Sequence, residues 1–95
     1  MDKIKIKDII KEILFEYNVK RASLFGSYAR DDYDDNSDVD ILIEFSDDNK
    51  SLLDLIGIKQ DIEERINKKV DIITYDSINP KIRENILKEQ EVIYE

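Results

Sequence analysis

The stretch Gly26–Phe45, GSYARDDYDDNSDVDILIEF, constrains this chain more than any other part of it. A glycine-serine turn is followed, with ten residues between Ser27 and Asp38, by an Asp-x-Asp pair that opens the apolar run Ile41-Leu42-Ile43. The apolar run predicts a β-strand, and in a strand the side chains at i and i+2 share a face. Asp38 and Asp40 are therefore expected side by side, roughly 7 Å apart along the backbone. Two carboxylates that close repel each other unless a cation lies between them, so the pattern predicts a metal-dependent site.

Composition sets the outer limits. With 95 residues, 41% of them hydrophobic, the chain is expected to form one domain spanning 1–95, burying roughly 60 to 65% of its unfolded surface. It contains neither cysteine nor histidine. Thiol nucleophiles, disulfides and zinc-thiolate sites are thus excluded, and catalysis must run on carboxylates, hydroxyls and metal ions. No window approaches the ~18 apolar residues of a membrane span, so a cytoplasmic protein without membrane association is expected. A formal net charge of -8 argues against a broad nucleic-acid-binding surface, which needs clustered Lys and Arg. A cation-loaded site or a basic protein partner fits better.

Periodicity predicts alternating elements. Asp2 to Tyr17 places isoleucines at mostly helical spacing among lysines and glutamates, as an amphipathic helix does. Arg21 to Phe25 and Asp38 to Phe45 read as strands, the second nearly continuously apolar and so covered on both faces. Ser51 and Asp54 form a capping box ahead of a helix that ends near Asn67. Val70 to Tyr75 is the next strand. Asn79 and Pro80 suit the N-cap and first position of a last helix reaching about Gln90, and Val92 to Tyr94 suggest a short edge strand. The order α, β, turn, β, α, β, α, β predicts an α+β (mixed α/β) fold, a small mixed sheet with helices packed on one side.

Glycine at a turn lets a phosphate approach backbone N–H groups, so Gly26 and Ser27 are candidate nucleotide-binding residues. Arg30, one turn on, is either a phosphate ligand or a surface arginine offsetting nearby aspartates. The run Asp31, Asp32, Asp34, Asp35 reads as a solvated loop. An EF-hand begun at Asp34 would need glycine where Val39 stands and glutamate where Phe45 stands, and one begun at Asp32 meets Ser37 and Ile43. Gly26 and Gly57 are the chain's two glycines, too few for a P-loop or a Rossmann motif.

Taken together, Gly26, Ser27, Ala29, Arg30, Ser37, Asp38 and Asp40, with Ile41, Leu42 and Ile43 behind them and Asp71 in Val70-Asp71-Ile72-Ile73, resemble the signature of the minimal nucleotidyltransferases (MNT domains) of the DNA polymerase beta superfamily. The resemblance runs from about Arg21 to Tyr94. It implies a polymerase-beta-like nucleotidyltransferase core in which Asp38, Asp40 and Asp71 hold two Mg2+ ions and carry catalysis. It also implies that Gly26 and Ser27 take the β and γ phosphates of a nucleotide, with ATP as the donor. In one departure, many members have glycine after Gly-Ser-x-Ala-Arg where this chain has Asp31, which loses the freedom of positive φ and adds a negative charge.

Free-standing MNT domains of this size resemble the antitoxin halves of HEPN/MNT toxin-antitoxin pairs, which attach AMP to a tyrosine of a HEPN-family RNase and silence it. That resemblance implies a protein adenylyltransferase with a HEPN-family toxin as partner. Two other readings stand beside it: a non-catalytic antitoxin that acts by binding the toxin, and a small-molecule nucleotidyltransferase acting on an aminoglycoside-like compound.

Overall fold

A computed structural model describes residues 1–47 and 50–95. Its four strands, β1 (Val19–Phe25), β2 (Val39–Phe45), β3 (Val70–Thr74) and β4 (Glu91–Tyr94), form one sheet in the order β3-β2-β1-β4. β1 runs antiparallel to both β2 and β4, while β2 and β3 are parallel. The helices are α1 (Lys3–Glu16), α2 (Gly26–Arg30), α3 (Leu52–Ile66) and α4 (Pro80–Glu89).

Each long helix begins where its caps direct. The Asp2 carboxylate accepts from the Lys5 N–H at 2.9 Å, and the Asp54 carboxylate accepts from the Ser51 N–H at 2.7 Å, satisfying donors that a helix start leaves open. α3 closes on Asn67 in the left-handed conformation, φ 54°, which asparagine tolerates better than most residues. The Asn79 side chain accepts from the Lys81 N–H at 2.9 Å, with Pro80 opening α4 as expected.

α1 and α3 cover one face of the sheet. Ile6, Ile10 and Leu14 of α1 and Ile58 and Ile62 of α3 meet Leu24, Val39, Ile41 and Ile43, all fully buried, each such side chain contributing roughly 1.5–3 kcal/mol. The expectation of helices on one side describes this pair. α4 differs: Ile86 and Leu87 pack with Leu42, Tyr75 and Ile78 on the opposite face. The reason lies in β2, whose run Ile41-Leu42-Ile43 sends apolar side chains both ways. On that side Ser23 Oγ and Tyr75 Oη lie 2.8 Å apart, and Tyr75 Oη donates to Gln90 Oε1 at 3.1 Å, so the buried hydroxyls are satisfied.

Boundaries shift slightly from the sequence expectation. β1 starts at Val19, just after Asn18 turns the chain at φ 60°, and β3 gives way at Tyr75 to a turn of 3-10 helix, Tyr75–Ser77. The terminal strand forms and pairs with β1. Ile4, one of the isoleucines that periodicity places on the apolar face of α1, is exposed. Among the described residues, no helix is long and apolar enough to cross a membrane.

Candidate active site

Strand register brings the predicted residues together. The antiparallel β1–β2 pairing sets Phe25, and hence the turn at Gly26, beside Asp40. The parallel β2–β3 pairing sets Asp40 directly opposite Asp71. Leu42 and Ile73 point toward α4, so Asp40 and Asp71, each two residues earlier, face the same way. The acids thus stand at the end of the face that α4 only partly covers. Asp38 immediately precedes β2, and both Asp38 and Asp71 are exposed while Asp40 is partly buried.

Gly26 is required twice over. Its φ is +68°, and a Cβ at this position would lie 2.2 Å from Asp40 Oδ2. The first condition strains any residue with a side chain; the second allows no atom beyond hydrogen without moving the carboxylate. Tyr28 anchors the short helix that follows, being buried in the main core and stacked on Tyr33 with ring centroids 4.0 Å apart.

The electrostatics of the acids are uncompensated. Asp40 is pushed up to about 6, first by burial and then by the charges of Asp71 and Asp38; Arg30 opposes the shift and Glu89 adds to it. Among the described residues, no hydrogen bond or ion pair reaches the carboxylates of Asp38, Asp40 or Asp71. Nor do three acidic side chains among them close into a preformed metal cage. Magnesium does not demand one: it keeps several waters and shares its remaining positions between one or two carboxylates and substrate phosphates. An oxygen-only donor set whose central carboxylate is raised by its own neighbours fits such an ion.

The other predicted residues are placed as follows. Ser27 sits in the first turn of α2. Arg30 Nε donates to Asp32 Oδ2 at 3.0 Å, and its Nη1 lies 3.4 Å from Glu89 Oε2, so in the free chain it offsets nearby acids. Asp31 keeps a left-handed backbone, φ 63°, despite not being glycine. Its carboxylate pairs with Lys3 Nζ at 2.5 Å. Asp34 builds the next turn, its Oδ1 accepting from the Asn36 N–H at 2.8 Å.

Sequence reasoning missed Glu89. Its Oε1 accepts from the Gly26 N–H at 3.1 Å, which puts a fourth carboxylate against the turn. Glu89 lies in a charged helical segment 63 residues from Gly26, and no local pattern distinguishes it from its neighbours.

Residues 7–95 match the family model described as polymerase beta, nucleotidyltransferase. A Methanocaldococcus jannaschii protein provisionally named a protein adenylyltransferase is 51% identical over 85 residues, covering 90% of this chain and 90% of its own. The protein adenylyltransferase MntA of Thermococcus cleftensis is 33% identical, covering 88% of this chain and 82% of its own. Among solved structures, one described provisionally as a minimal nucleotidyltransferase superposes with a TM-score of 0.82 at 28% identity, covering 96% of this chain and 95% of that one. A chain from the complex of a tri-AMPylated Shewanella oneidensis HEPN toxin with its MNT antitoxin has the same fold, with a TM-score of 0.76 at 16% identity, 98% of this chain and 72% of that one being covered. The chain therefore belongs to the polymerase beta nucleotidyltransferase family, and is an enzyme of that class.

Proposed function

We propose that this protein is a magnesium-dependent protein adenylyltransferase antitoxin, which transfers AMP from ATP to a tyrosine of a HEPN-family RNase toxin and neutralises it. The observation that carries this reading is the register that sets Asp40 opposite Asp71 and against Gly26, with Asp38 acting on the same carboxylate. The names of the relatives support the reaction, and the HEPN–MNT complex with its AMPylated toxin supports the partner.

In this reading Gly26 and Ser27 receive the β and γ phosphates, the missing side chain of Gly26 leaving room for close approach. Arg30 turns from its acidic neighbours toward a phosphate. Asp38, Asp40 and Asp71 would hold two Mg2+ ions, which when bound neutralise the triphosphate and stabilise the attacking and leaving oxygens. Asp71, on the exposed edge of β3, assists removal of the acceptor's proton. The acceptor oxygen bonds to the α-phosphorus in line with the breaking bond to the β-phosphate oxygen, and pyrophosphate leaves. With a net charge of -8, the chain is suited to a basic partner such as a protein that must attract RNA. The reaction would take place in the cytoplasm, where ATP and a toxin directed at RNA meet.

The test is the intact mass of the HEPN-like toxin after incubation with this chain, magnesium and ATP, beside an Asp38→Ala/Asp40→Ala variant. A gain of one or more AMP masses, absent with the variant, is expected. A tight complex that forms without any gain would instead establish an antitoxin that acts by binding alone.

A further inference from the structure

Glu89 closes α4 at its C-terminal end, and its side chain crosses to the turn between β1 and α2. There Oε1 accepts from the Gly26 N–H at 3.1 Å, and the two carboxylate oxygens lie 3.4 and 3.5 Å from Arg30 Nη1. A backbone N–H and a guanidinium are also what a phosphate oxygen seeks, for the same reason: both donate to a delocalised anion. The two donors that Glu89 holds are thus those assigned above to the nucleotide.

The surroundings make this an odd place for a purely structural carboxylate. Asp40 already bears the repulsion of Asp71 and Asp38, and the charge of Glu89 acts on it in the same direction. A neutral glutamine would tie α4 to the turn without that repulsion. Glutamate differs in strength: its charge-assisted contacts to Gly26 and Arg30 compete with an anion for the seat more strongly than an amide would.

We propose that Glu89 is an internal competitor of the triphosphate, filling the anion position on Gly26 and Arg30 in the free chain and giving way when nucleotide binds. The proposal rests on the reading of Gly26 and Arg30 as phosphate ligands. Its thermodynamic content is that every contact broken to admit the ligand is subtracted from the ligand's affinity. The carboxylate keeps the Gly26 N–H satisfied when the site is empty. It returns as pyrophosphate leaves, which favours turnover over product retention.

The experiment is a calorimetric titration of ATP with magnesium into the wild-type chain and into Glu89→Gln. The variant is expected to bind about three- to tenfold more tightly, because the amide weakens the contact to the Gly26 N–H and loses the ion pair with Arg30. Unchanged or weaker binding by the variant, with wild-type binding intact, overturns the proposal, because a residue that merely positions the turn loses affinity when altered. If neither protein binds ATP, the nucleotide-site reading itself fails. Thermal unfolding of Glu89→Ala provides a second readout: a lower Tm than wild type without ligand and a larger rise on adding ATP with magnesium. An equal or smaller rise counts against competition.

Discussion

Two groups of acidic side chains lie at opposite ends of the five-residue helix α2, and they are built on opposite terms. At its C-terminal end, Asp31 and Glu91 share Lys3 Nζ at 2.5 and 2.6 Å, and Glu91 also takes Lys7 at 2.8 Å. Burial pushes Glu91 up, yet its hydrogen bonds with Lys3 and Lys7 outweigh that and hold it below its ordinary range. At the N-terminal end, Asp40 is raised to about 6 by burial together with Asp71 and Asp38, against the opposing charge of Arg30. A carboxylate that serves the fold arrives with its cation. Under the function proposed above, Asp40 serves chemistry instead and takes its cation from solution, and the fold bears the repulsion meanwhile.

Substituting Asp40 tests the contrast most severely. Asp40→Asn should lower adenylyl transfer about a thousandfold or more, since it removes the carboxylate common to both neighbours in a reaction that depends on charge stabilisation. In EDTA the same variant should unfold at a higher temperature than wild type, because the amide relieves both the desolvation and the repulsion. An activity loss accompanied by a lower Tm would place Asp40 with the structural acids.

At the other end of α2 the expectation reverses. Lys3→Met strands Asp31 and leaves Glu91 with Lys7 alone, and it should cost about 1–2 kcal/mol in urea unfolding. Nucleotide binding should change little by comparison; a large loss of binding would show that the two clusters are coupled through α2. The smallest effect belongs to Asp31→Gly. Glycine relieves the strain of φ 63°, worth about 1 kcal/mol, while removing an exposed partner of Lys3 worth up to about 1 kcal/mol. The net change in stability should stay within about 0.5 kcal/mol, and transfer should be nearly unaltered, because the Asp31 carboxylate is turned to Lys3 and away from the acids. A several-fold gain in transfer would mean that its charge does reach the phosphates.

The elements were legible because their signals are local. Capping at Ser51 and Asn79 and the apolar spacing of α1 and α3 each occupy a few consecutive residues. Asp38, Asp40, Asp71 and Gly26 were legible for the same reason, since two short motifs carry them. What stayed hidden spans distance. Lys3 meets Glu91 across 88 residues, and Glu89 meets Gly26 across 63. α4's choice of the sheet's other face was hidden as well, for periodicity shows that Ile86 belongs to an apolar stripe but not that Leu42 receives it.

By itself the sequence determined the order of elements, the glycine at the turn ahead of the acids, and which acids fall at the start of strands. These follow from backbone sterics and side-chain period, which act within a few residues. Tertiary structure decided the rest. Strand register set Asp40 opposite Asp71, the packing of α1 brought Lys3 to Asp31 and Glu91, and the end of α4 put a fourth carboxylate on the turn at Gly26. Electrostatic interactions fall off with distance in space and are indifferent to distance along the chain, so which acids are neutralised and which are left bare is settled only once the sheet has formed.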